Sequence, residues 1–502
     1  MTPDYILIAV VALSFPALGL PFLGLSGKRG NLPGYLLVLA LLVALASIIM
    51  NAASGNPGSP SFGTLLSSDS LGDLFAMLTL FVTIFVAVAS LTLVSFRGAA
   101  TTNSPFYYSL LSFAALGMLL VSYSADLLML FVAWELMSIP TYALAGFQKG
   151  REESNEAAVK YAVIGALSSA IILYAISLTY GLTGTTEIAI AAKSLGAQLF
   201  NPAAGLAVLL FVVGFGFKMS VVPFHMWAPD AYEGAPTPIA TLFAAGTKKV
   251  GFVAAIRVVL AISTVYAITP QGSLFTIPNV LAALAVSTMT LGNLAALTQK
   301  SITRLLAYSS IAQVGYILIG FVIYSYAQGN SAFAQEGVLG MTGALFHIVN
   351  HSVMKGAAFL GAGLIILKLG TGDIAALNGL GRRMPVTAFT MTISFLALAG
   401  IPPLSGFWSK LLLFTSVLNG PYAWLAVAGV VNSAVSMGYY GWMVKRMYMD
   451  DPPAAGDTAR VIEPTSFVVV LGVLVALIVA FGVFPGPVIS FAQNSVPALA
   501  GP

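Results

Sequence analysis

Residues 127–147 read LLMLFVAWELMSIPTYALAGF. These 21 residues hold one charged side chain, Glu135, among apolar and small ones. A helix of that length rises about 30 Å, the thickness of a bilayer's hydrocarbon core. Two features of the stretch recur along the chain: apolar length sufficient to span a membrane, and an ionisable side chain part-way through.

The rest of the sequence has the same character. Of 502 residues, 58% are hydrophobic and 8% charged, with a mean hydropathy of +0.95. Soluble domains carry about 25% charged residues, so 21 Lys and Arg with 17 Asp and Glu cannot coat a water-facing globule of this size. Disorder needs low hydrophobicity and high charge and is excluded as well. With no cysteine, disulfides, thiolate nucleophiles, iron–sulfur clusters and Cys-based zinc sites are excluded. The net charge of +4 resides in short loops and gives no sign of nucleic-acid binding. The N-terminal apolar run opens with Asp4 and lacks a basic leader, so it reads as a first span rather than a cleaved signal. The expected fold is an all-α polytopic membrane protein.

Fourteen apolar segments are expected to span the bilayer: 4–25, 34–51, 72–96, 106–123, 125–147, 157–181, 204–226, 236–264, 277–298, 302–325, 339–367, 385–418, 421–447 and 464–491. The seventh holds Gly214, Gly216, Lys218 and Pro223, and the twelfth holds Gly400-Ile401-Pro402-Pro403; both are expected to be interrupted. The loops after odd-numbered spans carry Lys28, Arg29, Arg97, Lys149, Arg151, Lys300, Arg304, Lys368, Arg382, Arg383, Lys445, Arg446 and Arg460, and those after even-numbered spans only Lys193. This bias places the odd loops in the cytoplasm and both termini outside. The loop after the seventh span is acidic and adds nothing to that count. Segments 52–71 and 450–463 read as linkers within one membrane domain.

Spans four to eight (106–264) and nine to thirteen (277–447) form two five-helix units, preceded by three spans (1–105) and followed by one (464–502). The interrupted span is fourth in each unit, with a lysine near its break, Lys218 or Lys410. An odd helix number inverts the second unit, and matched broken helices point to an inverted-repeat transporter.

Ionisable groups inside spans are costly and usually face a partner or a wet cavity. Glu135, Lys218, Lys248, Lys249 and Lys410 lie in this position, and His347, His351 and Lys355 share one face of the eleventh span at spacing four. Such a set suits proton relay: desolvation favours a neutral lysine, a neighbouring carboxylate favours a charged one, and histidine titrates near neutrality unaided. The leading relay is Glu135, Lys218, Lys248, His347 and Lys410; Lys249, His351 and Lys355 are further candidates. One of Lys248 and Lys249 is expected to point inward and the other to make a structural contact. Lys355 fits either a relay or an interfacial role. Asp126 reads as a helix-end residue, Lys160, Arg257 and Lys368 as side chains reaching for the interface, and His225, followed by Trp227 and Asp230, equally as an interfacial anchor. No His-Glu-x-x-His pattern, phosphate loop or nucleophile elbow is present, and no metal is expected.

The stretch at 127–147 resembles the fifth helix of the antiporter-like membrane subunits of respiratory complex I. SNEAAVKY (154–161), IGALSSAIILYAISLTYGLTG (164–184) and KMSVVPFHMWAPDAYEGAPTP (218–238) resemble subunit N in particular. The resemblance covers most of the chain. It implies fourteen helices in two inverted repeats, a Glu135–Lys218 switch, Lys248 as central relay and Lys410 as relay group of the second half. ALFHIVNHSVMK (344–355) departs from that pattern and looks more like the eleventh helix of sister subunits M and L, or of multisubunit cation/proton antiporters. The mixture is similar to archaeal subunits N, including those of deazaflavin-linked dehydrogenases. No lateral helix follows the last span, which argues against subunit L.

The resemblance implies a non-redox, proton-translocating subunit of a quinone or methanophenazine oxidoreductase of the NADH:quinone type. It would hold no cofactor itself, with a quinone-type acceptor elsewhere. Its expected setting is a prokaryotic plasma membrane, among M/L-type and small K, J and A-type subunits. The alternative is a subunit of a multisubunit cation/proton antiporter. Sodium coordination calls for several carboxylates and carbonyls, and the chain offers chiefly Glu135 at depth.

Overall fold

The computed structural model describes residues 4–25, 30–55, 62–96, 103–148, 150–198, 201–263, 276–452 and 460–496. Backbone polar groups in hydrocarbon must be satisfied within the chain, and among the described residues every element is helical. In order they are α1 (Tyr5–Leu25), α2 (Leu32–Ala53), α3 (Ser70–Phe96), α4 (Ser104–Tyr123), α5 (Leu127–Ala145), α6 (Glu152–Thr183), α7 (Ile188–Ala197), α8 (Pro202–Met219), α9 (Trp227–Gly234) and α10 (Thr237–Ser263). There follow α11 (Ile277–Leu297), α12 (Ile302–Gln328), α13 (Ala334–Leu369), α14 (Pro385–Ala399), α15 (Ser405–Thr415), α16 (Ala423–Tyr448), α17 (Thr465–Val483) and α18 (Gly486–Asn494), with short helical turns between some of them.

Twelve of these helices are long and apolar enough to cross a membrane, against the fourteen expected. The twelfth expected span is divided into α14, of 15 residues, and α15, of 11. Gly400, at φ +90°, ends α14 in the left-handed conformation that a side chain disfavours. A Cβ there would also lie 3.0 Å from the Lys410 side chain, so the glycine makes room for the lysine as well. The thirteenth, α16, has 26 residues, but Asn432, Ser433 and Ser436 make it less apolar than its neighbours.

The seventh expected span also breaks. α8 stops at Met219, and Ser220 takes a left-handed φ of 60°. Lys218 therefore stands in the last turn of a helix, beside the break, as the interrupted span was expected to place it. α10 is buried along its whole apolar window and contains two π-helical turns, Phe243–Thr247 and Ile256–Leu260. Between them runs Lys248–Ala255, which begins with the two adjacent lysines. Single π turns inside α-helices are frequent at functional sites.

Loop contacts sort into two ends. Leu66 bridges Ser124 and Asp126 bridges Glu187, joining the segments before α3, α5 and α7. At the other end Ser301 bridges Asp373, Gly379 N donates to Arg446 O (3.1 Å) and Val461 N donates to Arg383 O (2.9 Å). The second group carries Arg382, Arg383, Lys445, Arg446 and Arg460 of the basic set. Lys28, Arg29, Arg97 and Lys149 lie outside the described residues.

Arg257 does not reach for the interface. Its guanidinium forms a two-pronged pair with Asp69 (3.0 and 2.9 Å) and donates to Ser122 O (2.9 and 2.6 Å), with 9% of the side chain exposed. Its partner lies 188 residues away in sequence. The pair fastens α10 to the segment leading into α3.

Helices approach closely where side chains are absent. A Cβ on Gly117 of α4 would fall 2.4 Å from Met137 N of α5. Small residues permit such backbone contact in membranes. Gly117→Val should destabilise the protein by about 1–3 kcal/mol or more, the usual cost of overpacking. Gly438→Val on α16, where a Cβ meets nothing within 4 Å, should be neutral. Thermal unfolding of the detergent-solubilised assembly distinguishes the two.

Candidate functional site

The break after α8 sets the first cluster. Lys218, 1% exposed, donates to Tyr161 Oη (2.8 Å) and Ser138 Oγ (3.3 Å). Its ammonium lies 5.1 Å from the ring centre of Tyr161, 5.8 Å from that of Tyr142 and 5.9 Å from that of Trp134. Trp134, Ser138 and Tyr142 repeat at spacing four, so α5 presents one face of ring, hydroxyl and ring to the lysine. Such rings attract a cation without fixing it to a carboxylate.

Glu135 is half-buried and accepts a hydrogen bond from Ser169 Oγ of α6. The expected Glu135–Lys218 contact is not made: among the described residues no ion pair joins them. The carboxylate stands one helical turn from Ser138, the hydroxyl on which Lys218 rests.

The second cluster gathers on α10, α12 and α13. Lys248 Nζ donates to Ser310 Oγ (3.2 Å) and lies 5.5 Å from the Tyr232 ring centre. Lys249 Nζ hydrogen-bonds His351 Nδ1, and His351 Nε2 lies 3.5 Å from Ser310 Oγ. Both lysines thus point inward, at 1% and 0% exposure, where one inward and one structural side chain was expected. Lys355 is equally buried; it donates to Leu306 O (3.0 Å) and Ser309 Oγ and does not approach an interface.

The third cluster forms at the break between α14 and α15. A helix end leaves its last carbonyls without intrahelical partners and carries partial negative charge. Lys410 Nζ donates to two of them, Leu398 O (2.9 Å) and Ala399 O (3.0 Å), and to Ser433 Oγ (2.7 Å). It also lies 4.9 Å from the Tyr316 ring centre. Gln313 Nε2 donates to the same Leu398 O (3.2 Å), while its Oε1 hydrogen-bonds His347 Nε2 (2.9 Å). His347 Nδ1 pairs with Ser409 Oγ (2.8 Å), and the His347 and His351 rings stack at 6.3 Å.

These contacts compose a file. It runs from Lys248 through Ser310 and His351, across one ring-to-ring step to His347, then through Gln313 and the Leu398 carbonyl to Lys410. Every member is buried. From Lys218 to Lys248 the connection is aromatic: Tyr161 stacks on Trp227 (4.4 Å), and Trp227 meets Tyr232 edge-on (5.9 Å). Among the described ion pairs none involves Lys218, Lys248, Lys249, Lys355 or Lys410. Five basic groups share one interior, so the cost of a proton on one depends on protons on the others.

Sequence reasoning found the ionisable members and missed their partners, Tyr161, Ser138, Ser310, Gln313, Ser409 and Ser433. One signal was available: Gln313 is a lone amide in an otherwise apolar stretch of α12. The remaining hydroxyls resemble ordinary membrane-helix serines. Outside the file, Asp126 caps α5 by accepting from Leu128 N (2.8 Å) and Met129 N (3.0 Å). Lys368 stands in the last turn of α13, and His225 in the turn between α8 and α9.

The acidic segment after α8 joins basic residues of two other helices. Asp230 pairs with Lys160 (2.6 Å) and Arg304 (2.6 Å), and Glu233 with Arg304 (3.0 Å). Burial works against ionisation of Asp230, but the hydrogen bonds from Lys160 and Arg304 outweigh it and hold its carboxyl below the usual carboxylate range.

Comparison with known proteins places the chain by family and fold. Residues 124–436 match the family model described as NADH:quinone oxidoreductase/Mrp antiporter, TM. The F(420)H(2) dehydrogenase subunit N of Methanosarcina mazei is 38% identical over 494 residues, covering 95% of this chain and 94% of that protein. The NADH-quinone oxidoreductase subunit N of Desulfitobacterium hafniense is 37% identical over 501 residues, covering 98% and 97%. A chain of respiratory complex I from Thermus thermophilus, solved with bound aureothin, superposes with a TM-score of 0.76 at 30% identity, covering 97% of this chain and 99% of that one. By the matched family model, by full-length relatives called subunit N and by its fold, the chain belongs to the NADH:quinone oxidoreductase/Mrp antiporter family of membrane subunits.

Proposed function

We propose that this chain is the antiporter-like subunit of a complex I-type oxidoreductase, carrying protons across the membrane through Glu135, Lys218, Lys248, His347 and Lys410. Lys249, His351 and Lys355 tune or share the load at the centre. The observation that carries the reading is the buried file of polar side chains between Lys248 and Lys410, hydrogen-bonded on either side of the His351–His347 ring stack and ending on carbonyls that the helix break exposes. Electron transfer takes place in other subunits, between a donor of the kind named by the relatives, F420H2 or NADH, and a quinone or methanophenazine. The chain itself holds no redox cofactor.

In this scheme Glu135 held by Ser169, with Lys218 among hydroxyls and rings, is the separated state of the switch. Closing the pair favours a proton on Lys218; opening it favours passage toward Lys248. The proton continues by His351 and His347 to Lys410. The basic loops face the cytoplasm of a prokaryotic cell, both termini face outward, and the partners are M/L-type and small K, J and A-type membrane subunits.

Lys218→Ala and Glu135→Ala should each lose most redox-driven proton pumping in membrane vesicles while the assembly persists. Wild-type pumping by either well-assembled variant would exclude the switch. Lys410→Arg keeps the charge, but a guanidinium does not release its proton at accessible pH, so transport should be lost. Full transport by that variant would remove Lys410 from the path.

The family description also names the Mrp antiporter, and the second reading is a subunit of a multisubunit cation/proton antiporter. Replacing sodium by potassium on both sides of the vesicle should leave proton pumping unchanged. A strict sodium requirement would favour the antiporter reading.

A further inference from the structure

The eight-residue helix α9 carries three side chains with different surroundings. Asp230 and Glu233 face a basic cluster: Arg304 Nη1, from the first turn of α12, reaches Asp230 Oδ1 at 2.6 Å and Glu233 Oε2 at 3.0 Å. Lys160 of α6 takes the other oxygen, Asp230 Oδ2, at 2.6 Å. Tyr232, between the two carboxylates in sequence, turns inward and is 0% exposed. Its ring lies 5.5 Å from Lys248 Nζ and meets Phe359 of α13 edge-on at 5.6 Å. Its hydroxyl is buried beside the Ser220 side chain.

A cavity of about 160 Å³ also touches Tyr232. Glu233, Thr237, Ser301, Thr303 and Gly363 help to line it, together with Arg151. These residues come from the segments after α5, α8 and α11 and from the C-terminal half of α13, all at the basic end of the molecule. The volume accommodates several water molecules, and the polar lining suits them. Tyr232 therefore borders both the cavity and the central lysine.

The rest of α9 is fixed by packing. Trp227 stacks on Tyr161 and donates from Nε1 to Phe217 O (2.9 Å), and a Cβ on Gly234 would fall 2.1 Å from Glu153 O of α6. Removing the ion pairs would leave this helix attached, with Tyr232 held only by its ring contacts to Trp227, Phe243 and Phe359.

We propose that Arg304 is a positioning residue which, by clamping Asp230 and Glu233, holds Tyr232 as the partition between the basic-end cavity and Lys248. Water reaches the lysine to the extent that this turn relaxes. The consequence for pumping rests on Lys248 being a proton carrier, as proposed above; the clamp itself does not.

The native chain has no cysteine, so Thr247→Cys places a single reporter next to Lys248, buried and outside the cavity lining. In vesicles containing the whole assembly, the rate at which a charged, water-soluble methanethiosulfonate modifies this chain measures access. Added at the basic face, the reagent should modify the cysteine slowly. Arg304→Gln in the same background should raise the rate roughly three- to tenfold, the scale set by losing a few partly exposed ion pairs. Arg304→Lys, which keeps a cation within reach of Asp230, should restore a rate close to the parent. Should Arg304→Gln fail to assemble, Asp230→Asn carries the same expectation. No modification from the basic face, or an unchanged rate in an assembled Arg304→Gln or Asp230→Asn, would overturn the clamp. Lys248→Met, measured in parallel, separates the two claims: normal pumping would count against the relay and leave the labelling result intact.

Discussion

A cation cannot stay in hydrocarbon without partners, and the architecture of this chain answers that constraint at five lysines. Lys218 rests on two hydroxyls and three rings. Lys410 rests on two carbonyls that exist as free acceptors only because α14 stops at Ala399. Breaking a membrane helix exposes backbone groups at a cost, and that cost is offset when the exposed groups serve a buried charge. Both breaks lie beside a lysine.

The sequence makes the apolar segments, the two interruptions and the ionisable set readable, because each depends on residue type and short-range spacing. Span length follows from counting apolar residues, and the breaks from Gly400 with its prolines and from the Gly- and Pro-bearing stretch around Lys218. The three-residue face His347, His351, Lys355 follows from helical periodicity alone. What spacing cannot supply is a partner far along the chain. Arg257 looked like an interfacial side chain until Asp69 appeared beside it. Lys355 was open between two roles until Leu306 and Ser309 of α12 closed around it. The π turns flanking Lys248–Ala255 have no signature in composition, since they depend on how α10 is gripped by its neighbours.

The Glu135–Lys218 pair illustrates a different limit. The family resemblance implies that the two residues exchange contact, yet a single structure holds one arrangement. Here the carboxylate is with Ser169 and the ammonium with Tyr161 and Ser138. A switch needs two states whose energies differ by little. Each residue has a partner of its own here, so parting the two leaves neither group without a hydrogen bond.

Interior and rim use charge differently. At the rim, Arg304 and Lys160 meet Asp230 and Glu233 as ion pairs, which fix both members in one charge state. Inside, the lysines meet serine and tyrosine hydroxyls, a carbonyl pair and histidine rings. A hydroxyl accepts from an ammonium and donates to an amine, and a histidine ring nitrogen does either according to its tautomer. Most contacts in the file can therefore persist whichever partner holds the proton. A carboxylate in the same position would favour the ammonium over the amine and so hold the proton on the lysine. The acids of the described ion pairs thus hold arginine and lysine charged at the rim, while the buried lysines keep to hydroxyls, carbonyls and rings that do not tie them to one charge state.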